Sequence, residues 1–432
     1  MKKLFSSLFL IIFILHGVFA DKQDDATLPR DYTFTIYPGT AKYFTMEQAN
    51  EGYMSLSRMV NRGIDYTIGD KKLFNFIPAG ELLKCAIPLF TSPVTHEEGH
   101  RSILTNQDIG SIAMPFFNSH GAAYVRGVTD DTLKQFRNDD YPSFIRMYTA
   151  GIESDYMMAR RGERMAAFGE DSASVLWADF LTREFMVSQY MFLSVLYNIS
   201  EKLDEDGEDS GKIFALKEEA DEKKRDIVGM DTFGAVHFLF HPDAAYKRYI
   251  QWDDLNRQEK DFLVYRMGLR SLLNLVSPMT LAKPYFSIGE DMSITGSLGY
   301  CLAPFGDFID ENVYFTYRDV HLAAYIREYE NKKHWFPAFG VSLCDFRPVD
   351  WLSISVDTHL WVQPKHLDFY TSQKSYGGAV KISTDIFLPF LSGSQKNMAL
   401  NLSLLVKSAG FLPEVESHDE LFRFTMGVTI RF

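Results

Sequence analysis

The residues best suited to chemistry form one short run, His96-Glu97-Glu98-Gly99-His100. Residues four apart lie on one face of an α-helix, so the imidazoles of His96 and His100 can bind one zinc ion. Glu97 then lies beside the metal, where it can take a proton from the attacking water. The opposite interpretation is a surface helix with two unliganded histidines. We favour the zinc site because the motif lies in a helical context.

The sequence around this run predicts how the helix starts and packs. Ser92 offers an N-cap and Pro93 a first-turn proline, so we expect the helix to begin there. Gly99 costs a helix about 1 kcal/mol relative to alanine. Its missing side chain would let another element approach the metal closely.

The run resembles the zinc metallopeptidases of the zincin group, in which His-Glu-x-Gly-His is a frequent form. The metzincin continuation is absent, because Ile103 and Asn106 stand where its glycine and third histidine would be. The resemblance therefore points to the gluzincin arrangement, in which a second helix supplies a glutamate as third ligand. It implies Glu153 as that ligand, beside His96 and His100.

The segment around Glu153 supports a close helix pair. Ala150 and Gly151 are small enough to let this second helix lie against the first. Asp155, two residues from Glu153, points to another face and is expected to orient some other group. The thermolysin-like aspartate four residues after the glutamate is missing, because that position is Met157.

Three other histidines are weaker candidates. His237 and His241 also stand four apart, but no glutamate follows the first, and aromatic residues surround them. Packing or hydrogen bonding is the favoured interpretation, ahead of a second metal. His120 is interpreted as a loop residue rather than an oxyanion-stabilising group.

The elements that position these residues are mostly helical before Pro278. Apolar residues recur at steps of three and four over 174–200, which predicts one long buried helix, and a further helix is expected over 256–275. The acidic tract at 204–211 lacks the EF-hand ligand pattern and is interpreted as a solvated loop.

After Pro278 the period becomes two, and about eight strands are predicted. In the last of them apolar residues alternate with polar or small ones from Phe422 to Phe432. A soluble periplasmic β-domain would show such alternation as well. An aromatic final residue, Phe432, resembles the terminal signal of bacterial outer-membrane barrels, and aromatic residues gather near strand ends. We therefore favour a membrane barrel.

The fold class expected is α+β in two domains. A signal peptide at 1–20 precedes a helical, zinc-metallopeptidase-like domain at 26–278 and an antiparallel outer-membrane barrel at 279–432. The signal peptide rests on Lys2 and Lys3, a short apolar run and small residues before a cut after Ala20. A retained membrane anchor is the alternative, but the apolar run is short for one.

Composition limits the classes of binding partner and the disulfide content that can be expected. The 432 residues carry a net charge of −13, which argues against nucleic acid, since phosphate binding needs a basic surface. Three cysteines are too few for a disulfide scaffold, so all are interpreted as packing residues.

Together these features predict a zinc peptidase of the bacterial outer membrane, with its helical domain in the periplasm. Its expected partners are a peptide or protein substrate and outer-membrane lipid. The alternative is a non-enzymatic barrel protein (a pore, anchor or adhesin) in which a metal only stabilises the helical domain. A barrel enzyme acting on lipid would leave the helical half unexplained.

Overall fold

The structure is a computed structural model that describes residues 30–36, 45–68, 71–73, 77–116, 123–203, 219–388 and 398–431. The predicted signal peptide, His120, the acidic tract at 204–211 and Phe432 lie outside these residues.

The helical region contains seven α-helices within the described ranges. They are α1 (Met46–Ile68), α2 (Ala79–Asn106), α3 (Asp130–Asp139), α4 (Tyr141–Ala167), α5 (Ala173–Leu203), α6 (Asp231–Phe240) and α7 (Arg257–Asp261). The predicted long helix at 174–200 is confirmed by α5. The predicted helix at 256–275 is a sequence of shorter pieces, α7, a π-helical turn at Phe262–Gly268 and a 3₁₀ turn at Ser271–Leu275.

Helix α2, which carries the His-Glu-x-x-His run, begins earlier than predicted. It starts at Ala79 and continues through Pro88 and Pro93, so the expected start at Ser92 is wrong. Each proline removes one backbone donor from the helix. Arg183 of α5 donates from Nη1 to the carbonyl of Ser92 at 3.0 Å, which ties the middle of α2 to α5.

Ten strands form one antiparallel sheet. They are β1 (Asp31–Ile36), β6 (Phe286–Ile288), β7 (Met292–Ala303), β8 (Gly306–Tyr317), β9 (Val320–Glu330), β10 (Trp335–Val349), β11 (Leu352–Pro364), β12 (Lys374–Phe387), β13 (Met398–Lys407) and β14 (Leu421–Arg431). Two short hairpins lie apart from it, β2 (Lys72–Leu73) with β3 (Ile77–Pro78), and β4 (Ile112–Met114) with β5 (Tyr124–Arg126). The α+β class is confirmed, and β7 to β14 match the predicted number of long strands.

The sheet is not closed into a barrel, so that part of the prediction is wrong. Neighbouring strands pair in chain order from β6 to β14, and β1 adds to the far side of β14. Among the described residues β1 and β6 remain as two separate edges that do not pair with each other.

Helical segments contact β1 and the part of β7 that extends beyond β6, which gives a physical reason for the open sheet. At β1, Thr33 donates its backbone N–H to Ser55 Oγ of α1 at 3.1 Å, and Ser55 donates back to the Thr33 carbonyl at 2.8 Å. On the other side of the sheet, β6 pairs only with the first residues of β7, so within the described residues the rest of β7 has no strand on that side. There Tyr300 donates its N–H to Asn274 Oδ1 at 2.7 Å, and Asn274 donates to the Tyr300 carbonyl at 3.0 Å. An edge satisfied in this way needs no partner strand.

The two faces of the sheet differ in polarity. We call the face that contacts the helices the inner face. In β14 the buried positions are Arg423, Thr425 and Thr429, whereas Phe422 and Phe424 are exposed on the outer face. A polar cavity of about 810 Å³ lies between the inner face, α1 and α4. The outer face is therefore apolar and uncovered, whereas the inner face combines this polar cavity with buried apolar residues such as Tyr300 and Phe308.

The helical and β-rich parts on either side of the predicted boundary near Pro278 pack against each other. Helix α4 contacts the inner face, where Tyr156 donates to Asp310 at 2.6 Å and Arg160 to Ser297 at 2.9 Å. β1 comes from the N-terminal part of the chain. No helix in the described ranges has the length and apolar character needed to cross a membrane.

Candidate metal centre

Helices α2 and α4 cross at glycines, and this crossing creates the site. A Cβ at Gly99 of α2 would overlap with the carbonyl oxygen of Ala150 in α4. A Cβ at Gly151 would overlap with the Nε2 atoms of both His96 and His100. The predicted close approach of the two helices is confirmed, and the absent Gly151 side chain leaves room directly in front of both imidazoles.

Three donor atoms converge in that space. Nε2 of His96 lies 3.3 Å from Nε2 of His100. Oδ2 of Asp231, the first residue of α6, lies 3.2 Å from the first nitrogen and 3.4 Å from the second. Two helices and the start of a third thus place two imidazoles and a carboxylate in a nearly equilateral triangle.

The hydrogen bonds around the triangle leave its centre without a proton donor. Nδ1 of His96 faces Asp155 Oδ2 at 2.8 Å, and Nδ1 of His100 faces the carbonyl oxygen of Met147 at 2.6 Å. Both Nδ1 atoms therefore donate, so each neutral ring presents a lone pair at Nε2. Within the described structure the buried Asp231 Oδ2 has no hydrogen-bond partner. Three converging lone pairs repel each other unless a metal ion, or a proton on one Nε2, lies between them.

The triangle has the dimensions of a zinc site. Ligand atoms about 2.0–2.1 Å from a tetrahedral zinc lie roughly 3.3 Å apart, and the three separations here are 3.2, 3.3 and 3.4 Å. Two imidazole nitrogens and one carboxylate oxygen are also a donor set that zinc accepts. The residues present therefore fit the metal that the sequence predicts.

The pKa values of these groups also indicate that the site favours a positive charge. Burial lowers the pKa of His96, but the negative charge and hydrogen bond of Asp155, together with the negative charge of Asp231, outweigh it and raise the pKa. Burial raises the pKa of Asp231, but His100 and His96 bring it down to about 2. Asp231 is therefore a carboxylate at neutral pH.

Glu97 lies in the same buried environment, but there burial outweighs the nearby positive charges in its effect on the pKa. Burial raises its pKa to about 8, although His96 and His100 act to lower it. The ring of Tyr190 in α5 stacks on His96 with 4.9 Å between ring centroids. Glu97 thus combines a raised proton affinity with a position next to the first histidine, as a general acid–base group requires.

Asp155 orients His96, as its predicted separate role requires. While Oδ2 binds His96, Oδ1 accepts a hydrogen bond from Arg183 Nη1 at 2.6 Å. Arg183 also contacts the Thr95 hydroxyl at 2.7 Å, so the network returns to α2. Such outer hydrogen bonds fix the ring orientation and the tautomer of a histidine ligand.

Glu153 lies elsewhere. Its two carboxylate oxygens face Arg146, with Oε1 2.6 Å from Nη2 and Oε2 3.0 Å from Nε. Oε1 also accepts the backbone N–H of Glu414 at 2.8 Å. The group that could hold a metal contains Asp231 instead. Glu153 is two residues from Asp155, so its side chain leaves α4 in a different direction.

Asp231 was missed because it has no local motif. It follows the run by more than a hundred residues and comes from a different helix. The one signal available is that Asp231 is the sole acidic residue of an otherwise apolar helix. A carboxylate that enters the core in this way needs a partner.

Comparison of the chain with protein-family models, with curated proteins and with solved structures found no match. The geometry of the site is therefore the basis for assigning a function.

Proposed function

We propose that this chain is a zinc-dependent peptidase of the bacterial envelope, with His96, His100 and Asp231 as the metal ligands and Glu97 as the general base. The observation that carries the proposal is the triangle of Nε2, Nε2 and Oδ2 atoms, with an unpartnered buried carboxylate oxygen, beside Glu97. A structural metal has no need of a carboxylate beside its first ligand.

Each residue has a distinct role in hydrolysis. When bound, zinc supplies a Lewis acid that polarises a peptide carbonyl and makes water more acidic. Beside a bound cation Glu97 would be ionised despite its burial. Its carboxylate would then accept the proton of the attacking water and give it to the leaving amine. Asp155 and the Met147 carbonyl hold the two imidazoles in the tautomer that presents Nε2.

The test compares two isosteric changes at adjacent positions. Glu97→Gln should keep zinc but lose at least about 10²-fold in hydrolysis of unfolded casein or a quenched-fluorescence peptide library. Glu98→Gln is the matched control, because Glu98 only pairs with Arg101 on the side of α2, at 2.6 Å. The proposal is wrong if folded Glu97→Gln retains full activity.

Zinc content separates the two candidate third ligands. Asp231→Asn should lose bound zinc, measured by mass spectrometry of the purified protein, because a neutral amide is a poor replacement for a carboxylate ligand. Glu153→Gln should keep zinc in its folded fraction. The opposite result would return Glu153 to the metal site.

We further propose that the outer face of the sheet lies in the lipid of the bacterial outer membrane. Membrane β-barrels have polar inner and apolar outer positions in each strand, with aromatic residues near the strand ends. The sheet carries this alternation, and Trp335, Trp351 and Tyr376 are exposed at or next to strand ends. Flotation of the purified protein with phospholipid vesicles tests the placement, and a soluble protein that does not float would contradict it.

A second candidate function is a non-enzymatic outer-membrane protein whose metal only stabilises the helices. The extent of burial favours it, because His96, His100, Asp231 and Glu97 are each at most 5% exposed. Catalysis by such a site requires an opening that admits the substrate. This alternative predicts that zinc removal unfolds the protein, and that Glu97→Gln changes no activity.

A further inference from the structure

A second set of metal-binding side chains lies at the other end of α6. His237 in the last turn and His241 at the C-cap are joined by Glu259 of α7. Nδ1 of His237 lies 2.9 Å from Glu259 Oε1, and Nε2 of His241 lies 3.5 Å from Oε2. One donor atom from each of the three residues lies within 4.8 Å of the others.

No local pattern joins these residues, because the glutamate is absent from the histidine segment and comes from the next helix. A capping box positions it, in which Asn256 donates its backbone N–H to Glu259 Oε2 at 2.7 Å. Glu259 is buried, whereas His241 is 42% exposed. The group therefore has a fixed carboxylate at its base and an open side toward solvent.

We propose that His237, His241 and Glu259 form a second site for a divalent transition metal of the zinc class. Two imidazoles and one carboxylate are the donor set of the first site. Each oxygen of Glu259 lies near one imidazole nitrogen, at 2.9 and 3.5 Å, so a metal at this point could be held by both histidines and the carboxylate. Water can complete the coordination from the exposed side. Metal binding at Nδ1 of His237 requires the ring tautomer that carries its proton on Nε2, and it displaces the side-chain amide of Asn256, which lies 2.9 Å from His241 Nε2.

The site would strengthen a region that polar and aromatic contacts already hold together. The ring of Phe240, between the two histidines, packs against Phe262 and Phe369 with centroids 5.4 and 5.2 Å apart. Tyr370 donates its hydroxyl to the Phe240 carbonyl at 2.6 Å. A metal here would fix the end of α6, whose first residue is Asp231, against α7. We therefore assign it a structural role with weaker binding than the buried site.

Metal stoichiometry tests the proposal on the full chain. The metal-free protein is dialysed against buffered zinc, and bound zinc is counted by mass spectrometry. We expect two equivalents for the wild type, one for His241→Ala and one for His237→Ala. His334→Ala removes an exposed histidine outside both groups and should keep two. His241→Gln keeps the side chain polar and should lose the same equivalent, which separates lost coordination from lost folding.

The outcome does not depend on the proposed peptidase site. In the His96→Ala background one equivalent should remain, and it should disappear when His241→Ala is added. If the first site holds no metal, the wild type would bind one zinc that only the His237 and His241 variants lose, which still supports the second site. Unchanged stoichiometry in folded His237→Ala and His241→Ala would overturn it and leave only a hydrogen-bonded cluster.

Discussion

Oδ2 of Asp155 lies 2.8 Å from Nδ1 of His96, on the side of the ring away from the proposed metal. Residues that orient a metal-bound histidine in this way affect metal affinity about 10- to 100-fold. We therefore expect Asp155→Asn to weaken zinc binding by that amount without abolishing it. Competition with a chromophoric chelator measures the change. Unaltered affinity in a folded variant would contradict this role.

Residue types and spacing predict one side of the site but not the other. His96, Glu97 and His100 are neighbours on one helix, so the sequence is sufficient to group them. Asp155 is predicted as an orienting residue by its helical offset from Glu153. Asp231 becomes their neighbour only through the packing of α6 against α4, where a Cβ at Gly234 would overlap with the Tyr148 ring. No local pattern encodes that contact.

The sheet likewise has a feature that local sequence patterns do not predict. Alternation predicts the strands, because each side chain direction follows from the pleat. Closure depends instead on what the edges contact, and helical segments bond to part of each edge through Thr33 with Ser55 and Tyr300 with Asn274. These partners are distant in sequence, so the strand pattern predicted a barrel where an open sheet forms.

The glycine at the helix crossing provides a second prediction. Gly151→Ala should abolish zinc binding, because the new methyl group would overlap with both Nε2 atoms. Gly162→Ala, on the same helix, is the matched control, since its Cβ would meet only Met54 and Phe180 at 3.7 and 3.9 Å. We expect it to keep zinc and to gain stability by about 1 kcal/mol through helix propensity. Equal zinc content in both folded variants would exclude Gly151 as part of the site.

His418 is expected to make stability depend on pH. Burial lowers the pKa of this histidine well below its usual range, and the charges of Arg146 and Lys407 lower it further. The unfolded chain therefore takes up a proton below a pH of about 6.5, before the folded protein does. Stability is complete above that pH and decreases as the pH falls, by at most about 1.4 kcal/mol per pH unit.

Replacing this histidine isolates its contribution. His418→Gln should show a shallower loss of unfolding free energy between roughly pH 6.5 and 5, measured by urea titration at each pH. Above pH 7 the two proteins should have parallel pH dependence. The backbone bond from Gly410 N–H to the His418 carbonyl, at 2.7 Å, is retained in the variant. Identical slopes below pH 6.5 would mean that His418 does not titrate differently on folding.

The exposed apolar face provides a prediction that separates lipid from water. Phe339 in β10 is 51% exposed on the outer face. At a solvent-exposed position, Phe339→Arg should change stability by no more than about 0.5 kcal/mol. At a lipid-facing position near the bilayer midplane, arginine costs about 2–4 kcal/mol. Because we propose that this face contacts lipid, we expect the larger loss in phospholipid vesicles, measured by denaturant unfolding, while Phe339→Leu stays close to the wild type. A small effect of arginine in vesicles would place Phe339 in water and favour a soluble β-rich domain.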